Sequence, residues 1–352
     1  MWSNIEAAPA DSIFGLTEAF KCEQNPQKVN LGVGVYKDDQ GNTPVLDCVK
    51  TAEKILLEGE KSKSYLPIAG DPVYGQCVQK LIFGQESDIL QSGRAATVHA
   101  PGGTGALRIG AQLLYKFKAE GSLWVSTPTW ANHIGIFSDA GFTIEQYPYY
   151  NKDTKNLDFK NFEQCLLNVP AGDIVLLHAC CHNPSGVDLS KEQWLRVAQI
   201  AQEKGWMPFL DFAYQGFSKG ISEDRVAVEI MAQAGIDFFV ASSFSKNFGL
   251  YNERTGAWTI VAPSAGEADI AMSHLKKTVR VIYSNPPAHG GLTVATVLSD
   301  ETLYAKWVKE LDEMRNRIVE MRNALVDGLA SRNIGTDFSY IKEQSGMFSF
   351  SG

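Results

Sequence analysis

The sequence predicts an α/β protein built on a mainly parallel sheet, and two observations carry that prediction. Short apolar runs at residues 122–126, 174–181, 207–211 and 238–243 each end in small, polar or glycine residues. Between several of them lie stretches with apolar residues at helical intervals, at 106–117 and 192–203. Strands that alternate with helices pair mainly in parallel, because the helix carries the chain back to re-enter the sheet in the same direction. Such sheets hold their ligands beyond the carboxyl ends of the strands, so the residues that follow each run matter most.

After the first run comes Pro128-Thr129-Trp130, and after the second Asn183-Pro184-Ser185-Gly186. The third ends in Asp211-Phe212-Ala213-Tyr214, and the fourth leads into Ser243-Phe244-Ser245-Lys246. An indole, an amide, a carboxylate with a phenol, and a lysine are thus expected at one edge. The stretch Pro101-Gly102-Gly103-Thr104-Gly105-Ala106-Leu107-Arg108 opens a helix, whose free backbone N–H groups suit a phosphate. It lacks the spaced third glycine of a dinucleotide fingerprint, and no GxxxxGK[ST] loop occurs. Residues 299–329 read as a long amphipathic helix, with Leu303, Trp307, Leu311, Met314, Ile318, Met321, Leu325 and Leu329 at three- or four-residue steps. Asp300 and Glu301 sit at its start, and its length suits it to bridging two domains.

Composition narrows the function. With 352 residues, 44% hydrophobic and 20% charged, the chain is expected to be soluble and globular, as one large domain with an appendage or as two domains. No apolar run is long enough for a membrane span, and the N-terminus lacks the basic-then-apolar layout of an export signal, so the cytoplasm is the expected location. A net charge of -8 argues against a nucleic-acid surface. The six cysteines form no CxxC pair and read as reduced packing residues. His178, Cys180, Cys181 and His182 could suggest a metal, but no second cluster completes four ligands, and packing is the reading kept.

Lys246 follows a nearly uncharged run, where desolvation and nearby cations would lower its pKa and free a neutral amine as nucleophile. A solvated lysine at a strand end is the plain alternative. Arg254, eight residues on, adds a guanidinium to the hydroxyls of Ser243 and Ser245, a set of groups that binds oxyanions. Asp211 lies in an apolar setting, where a carboxylate needs a partner; that partner is a protonated ring nitrogen, a helix N-cap or an ion pair.

The segment Ser243-Phe244-Ser245-Lys246-Asn247-Phe248-Gly249-Leu250-Tyr251-Asn252-Glu253-Arg254 resembles the cofactor-lysine motif of the class I pyridoxal-phosphate-dependent aminotransferases. The likeness extends through Leu31-Gly32-Val33-Gly34-Val35-Tyr36, Ser64-Tyr65-Leu66, Pro128 to His133, Cys181 to Gly186, and Tyr283-Ser284-Asn285-Pro286-Pro287. It implies the fold type I architecture, a seven-stranded sheet with helices on both faces. Its domains would be an N-terminal arm with part of a small domain at 1–43, a large cofactor domain at 44–313, and the start of the rest of the small domain at 314–352. It further implies pyridoxal 5'-phosphate as cofactor, no metal, and a homodimer with shared active sites.

By the same resemblance, Lys246 holds the cofactor as a Schiff base and moves the proton, and Asp211 partners the pyridinium. Tyr214 and Asn183 bond the ring oxygen, Trp130 stacks on the ring, and Gly103, Thr104, Ser243, Ser245 and Arg254 hold the phosphate. Tyr65 reaches the partner's phosphate, and Arg280 clamps the substrate's distal carboxylate across the interface, where a plain reading makes it part of a solvated basic helix face. Gly34, Trp130, Asn183 and Arg280 contact substrate. Val35, Lys37, Thr43, Thr104 and Asn285 resemble the branch acting on aspartate and 2-oxoglutarate, giving oxaloacetate and glutamate by ping-pong kinetics, while Ser64 departs from the asparagine expected there. The aromatic amino acid branch is the alternative. The chain ends before the family's arginine for the substrate α-carboxylate, so a truncated, inactive cofactor-binding fragment is another. Decarboxylation or aldol cleavage on the same cofactor, and a non-catalytic regulator, complete the rivals.

Overall fold

A computed structural model describes residues 2, 5–7, 12–29, 34–118, 121–332 and 335–350; Leu31, Gly32 and Val33 of the resemblance lie outside them. The chain forms two compact units, Met1–Thr43 and Pro44–Gly352. The first holds helix α1 (Ser12–Cys22) and a turn in which Asp38 accepts the N–H groups of Gln40 and Asn42; Gly34 is exposed there.

The second unit begins with α2 (Asp47–Gly59), α3 (Pro72–Phe83) and α4 (Asp88–Gln91). Then come β1 (Ala95–Pro101), α5 (Gly102–Lys118), β2 (Leu123–Thr127), α6 (Ala131–Ala140) and β3 (Ile144–Pro148). A small hairpin, β4 (Tyr150–Asn151) with β5 (Asn156–Leu157), precedes α7 (Phe159–Leu166), β6 (Ile174–His178), α8 (Lys191–Lys204) and β7 (Met207–Phe212). The rest is α9 (Val226–Gln233), β8 (Phe238–Ser243), β9 (Thr255–Val261), α10 (Ala265–Ile282), α11 (Ala288–Ser299) and α12 (Glu301–Ala330).

Seven strands make the main sheet in the order β1-β9-β8-β7-β6-β2-β3. Strands β8, β7, β6, β2 and β3 run parallel, and β9 runs antiparallel to both β8 and β1. Two reversals restore the direction, so β1 points the same way as β8. The carboxyl ends of β1, β8, β7, β6 and β2 therefore share one edge of the sheet, and β9 starts from that same edge. Both β6 and β8 are buried at every position, as central parallel strands covered on two faces should be. Each fully buried Leu, Val or Phe contributes about 1.5–3 kcal/mol. Helix α5 lies close on the sheet because of Gly110, where a Cβ would stand 2.4 Å from Trp258 Nε1 and 2.8 Å from Phe209 Cζ.

Two features differ from the sequence reading. The second run stops being a strand at His178, because Asp188 accepts the N–H groups of Cys181 (2.8 Å) and His182 (2.9 Å) and bends the chain through a left-handed Cys181, φ 51°. Along α12 the stripe is buried at Leu303, Trp307, Leu311 and Met314, whereas Met321 and Leu325 are exposed. Asp300 caps that helix, accepting the Leu303 N–H at 2.8 Å, and Glu310 accepts the N–H groups of Asp47 (2.6 Å) and Cys48 (3.1 Å) at the start of α2. Among the described residues, no helix is long and apolar enough to cross a membrane.

Candidate active site

Lys246 lies three residues beyond β8, half-buried, with its Nζ 4.8 Å from the centre of the Tyr214 ring. Burial pulls its ammonium below the ordinary lysine pKa; the Asp211 carboxylate opposes that and the Arg254 cation adds to it. A lysine so placed is not the solvated strand-end residue that position alone allowed. Tyr214 is buried, and its phenol is pushed upward by burial first and by the Asp211 charge, against a hydrogen bond from the Asn183 side chain.

Asp211, at the carboxyl end of β7, has its side chain only 12% exposed. Its Oδ2 accepts a 2.8 Å hydrogen bond from His133 Nε2, and a carboxylate acceptor requires that nitrogen to carry the proton. The other ring nitrogen of His133 bonds Thr129 Oγ1 at 2.8 Å. Burial by itself would raise the Asp211 pKa; the His133 bond and the charge interactions with His133, His178 and Lys246 outweigh it and hold the carboxyl below its usual range. The N-cap alternative is set aside by this geometry, while the pairing alternative is met by a histidine. His133 was absent from the sequence reading of the site, although its place in the first turn of α6, just past the end of β2, carries the same strand-end signal as Trp130.

Asn183 is reached through a turn built on histidines. Its N–H donates to His178 Nδ1 at 2.9 Å, so His178 carries its proton on Nε2, which is buried without a partner. Burial and the nearby His133 lower the His178 pKa to about 3, against the pull of Asp211. His178 stacks on His182 at 4.2 Å, His182 on Tyr149 at 4.0 Å, and the His182 ring bonds Ser126 (2.9 Å) and Ser185 (2.8 Å). Cys180 and Cys181 are buried beside this column. Among the described residues, no group of three or more His, Cys, Asp or Glu is placed to hold a metal ion. Trp130, half-buried, meets His133 edge-on at 5.2 Å. Phe348 meets Tyr214 edge-on at 5.5 Å, a neighbour that no motif in the sequence marked.

At the other side of Lys246, β1 delivers Gly102 and β9 begins just after Arg254. Gly102 has φ 72°, and a Cβ there would stand 2.6 Å from Arg254 Nη2, so only glycine allows the guanidinium this close. A Cβ on Gly103 would meet Ser243 Cβ at 3.2 Å. Arg254 Nη1 donates to Ser245 Oγ (3.4 Å) and to Tyr251 O (2.9 Å). The first turn of the 17-residue α5, with Gly103 and Thr104, adds backbone donors. Together these make a cationic, donor-rich cradle able to hold a phosphate.

Tyr65 and Arg280 are not brought into this cluster. Tyr65 is 91% exposed, and Arg280 is exposed near the end of α10, its guanidinium bonded to Ser284. Their segments meet each other, because Asn285 Nδ2 donates to Leu66 O at 2.9 Å. Gly34 belongs to the unit Met1–Thr43 and is exposed within it.

A family model, aminotransferase class I and II, matches residues 26–352. The chain belongs to that family. An aspartate aminotransferase of Escherichia coli is 50% identical over 352 residues, covering all of this chain and 89% of its own length. A crystal structure of an aromatic-amino-acid aminotransferase from Burkholderia pseudomallei, with pyridoxal phosphate covalently bound, matches at TM-score 0.98 and 47% identity, over 100% of this chain and 88% of that one. An aromatic amino acid aminotransferase from Psychrobacter sp. B6, crystallised with aspartic acid, matches at TM-score 0.97 and 42% identity, over 99% and 88%. At the sheet edge of this aminotransferase the strand ends bring a lysine, a carboxylate, and an arginine with serine hydroxyls into one cluster.

Proposed function

We propose that this aminotransferase uses pyridoxal 5'-phosphate to move the amino group between aspartate and 2-oxoglutarate. The observation that carries the reading is the half-buried Lys246 over the Tyr214 ring, within reach of the opposing charges of Asp211 and Arg254. The residues fit the cofactor. The Gly102 backbone, the first turn of α5, Ser243, Ser245 and Arg254 would hold its phosphate; Asp211 would bond its ring nitrogen; Asn183 and Tyr214 would bond its ring oxygen; Trp130 would supply an aromatic face. When bound, the group supplies an electron-accepting ring that stabilises charge at the substrate Cα.

The chain's own residues do the rest. Lys246, its pKa lowered by burial, gives up its ammonium proton more readily than an exposed lysine and would take up the Cα proton once released. Asp211, kept ionised by His133, would hold a proton on the cofactor's ring nitrogen. Tyr214, its phenol held protonated, donates to an oxygen acceptor beside Lys246.

The assembly we propose is a homodimer acting in the cytoplasm, in which Tyr65 and Arg280 serve the partner's site. Their exposure, and the Asn285 bond that gathers both segments onto one surface, support it. Arg280 then faces the distal carboxylate and sets the preference for dicarboxylic substrates. The aspartate reading is also supported by Val35, Lys37, Thr43, Thr104 and Asn285. The rival reading is an aromatic preference, supported by the likeness to the Burkholderia structure, and Ser64 departs from the asparagine expected in the aspartate branch.

The test is direct. Borohydride reduction after adding pyridoxal phosphate, followed by peptide mass spectrometry, should place the label on Lys246. Single-turnover rates with aspartate and phenylalanine should then favour aspartate. Label elsewhere would sink the site, and faster turnover of phenylalanine would sink the substrate assignment alone.

A further inference from the structure

The loop that carries Lys246 is held by groups that the reaction does not use. Asn247 is 2% exposed, and its Nδ2 donates to the carbonyl of Gln215, the residue after Tyr214, at 3.2 Å. Its Oδ1 is buried without a partner. Flipping the amide would set an oxygen against that carbonyl, so the bond to Gln215 fixes which way it points. A leucine of similar shape would avoid the unpaired oxygen. The amide's presence is explained by the link it makes between the Lys246 loop and the Tyr214 loop.

Both loops are also gripped from one face of α12. Trp307, fully buried, donates its Nε1–H to Asn247 O at 2.7 Å and stacks on Phe248 at 4.6 Å. Leu311 packs where a Cβ on Gly216 would stand, 2.4 Å from its Cδ2. Arg315 Nη1 donates to Gly216 O at 3.0 Å. These three residues, four apart, lie along one stripe of the helix.

We propose that Asn247 and Trp307 are positioning residues that set Lys246 against Tyr214, by tying the lysine loop to the tyrosine loop and both to α12. The proposal rests on the reading of Lys246 as the cofactor lysine. It adds that the placement of the amine is governed by a helix that grips the backbone of the two loops at Asn247 and Gly216.

The groups facing the Lys246 amine are Asp211, Arg254 and the Tyr214 ring. A loosened loop admits water and moves the amine away from them, so its titration midpoint should rise toward the ordinary lysine value. The experiment measures the pH dependence of Lys246 acetylation by acetic anhydride in the cofactor-free protein, read by peptide mass spectrometry. Asn247→Ala and Trp307→Phe, which keeps a ring for Phe248, should each raise the midpoint by about half a unit or more. Trp194→Phe, which changes another buried tryptophan in α8, should lower the melting temperature without moving it. An unchanged midpoint in either folded variant overturns the proposal.

Should neither variant fold, hydrogen exchange on the wild-type protein decides. Residues 214–217, 244–250 and 303–315 should open as one unit; separate rates would overturn the link. Cofactor capture by Lys246 after borohydride reduction is scored independently, so failure of the site assignment and failure of the positioning role give different results.

Discussion

The cluster at the sheet edge and the exposed pair Tyr65 and Arg280 are built on opposite principles. Central groups of the cluster are oriented by this chain: Asp211 by His133, the Asn183 backbone by His178, the Lys246 loop by Asn247 and Trp307. The exposed pair is held more loosely: among the described residues the Arg280 guanidinium bonds one turn away, to Ser284, and Tyr65 is 91% exposed. An exposed long cation held by one bond at its own helix end suits recognition by a second subunit, whereas proton transfer demands groups locked in place. Chemistry belongs to one protomer in this reading, and substrate choice to its neighbour.

The largest effect should follow from breaking the cluster at its centre. Lys246→Ala should lower kcat by at least about 10²–10⁴-fold, the range for a lost general acid–base group, and abolish the reduced cofactor label at this position. Added methylamine should restore part of the rate, because the scaffold that the lysine served remains. Retention of the label in the variant would move the cofactor lysine elsewhere. Next comes Asp211→Ala, which should cost about 10²–10³-fold, as loss of a fixed electrostatic partner does. It should also leave His133 without its acceptor. Asp211→Glu should recover some of the rate, and an equal loss in both variants would mean that charge at this position does not matter.

Arg280→Leu should act differently from either. It removes charge-assisted bonds worth about 1.5–3 kcal/mol each, so kcat/KM for aspartate should fall about 10²-fold while phenylalanine changes little. Mixing Lys246→Ala chains with Arg280→Leu chains sharpens the comparison. If Arg280 serves the partner, each hybrid dimer carries one intact site and one doubly defective site. Random mixing should then restore roughly a quarter of the activity. No recovery after mixing would return Arg280 to its own subunit's site.

The same contrast explains what the sequence disclosed. Lys246, Asp211, Asn183 and Trp130 were legible because an apolar run announces a strand, and direction then assigns its end to one edge. The meeting of Gly102 with Arg254 required knowing that β9 reverses between β1 and β8, and pairing order is invisible to periodicity. His133 and the Asn247 link escaped because one residue looks like any polar group in a first helical turn, and the other reads as part of the lysine motif. The end of β6 was misplaced because the carboxylate that bends it, Asp188, lies seven residues after Cys181. The roles proposed for Tyr65 and Arg280 were readable only through the family, since both are exposed and stand apart from the Lys246 cluster.

The smallest effect concerns the base of the exposed pair. His99, 1% exposed on β1, has both ring nitrogens buried without partners. Its backbone N–H donates to Ala69 O at 2.9 Å, and its carbonyl accepts the Tyr283 hydroxyl at 2.7 Å. Its Cβ stands 2.5 Å from where a Cβ on Gly70 would lie, and its ring fills the space that a Cβ on Gly291 would need. The segments carrying Tyr65 and Arg280 are therefore packed around a histidine that must stay neutral; the titratable groups beside it, Tyr74 and Tyr283, are phenols with pKa values raised by burial. Burial lowers the His99 pKa from 6.5 to about 4. The unfolded chain takes up this proton near pH 6.5 and the folded chain only near 4, so the stability from the neutral ring is complete above 6.5. It is lost as pH falls from 6.5 toward 4, by about 3 kcal/mol at most. His99→Gln should remove that part of the acid sensitivity between pH 7 and 4, measured as the slope of the urea midpoint against pH, with little change in the rate at neutral pH. An unchanged slope would mean that His99 finds a proton acceptor in solution, and that the platform under Tyr65 and Arg280 is looser than its packing implies.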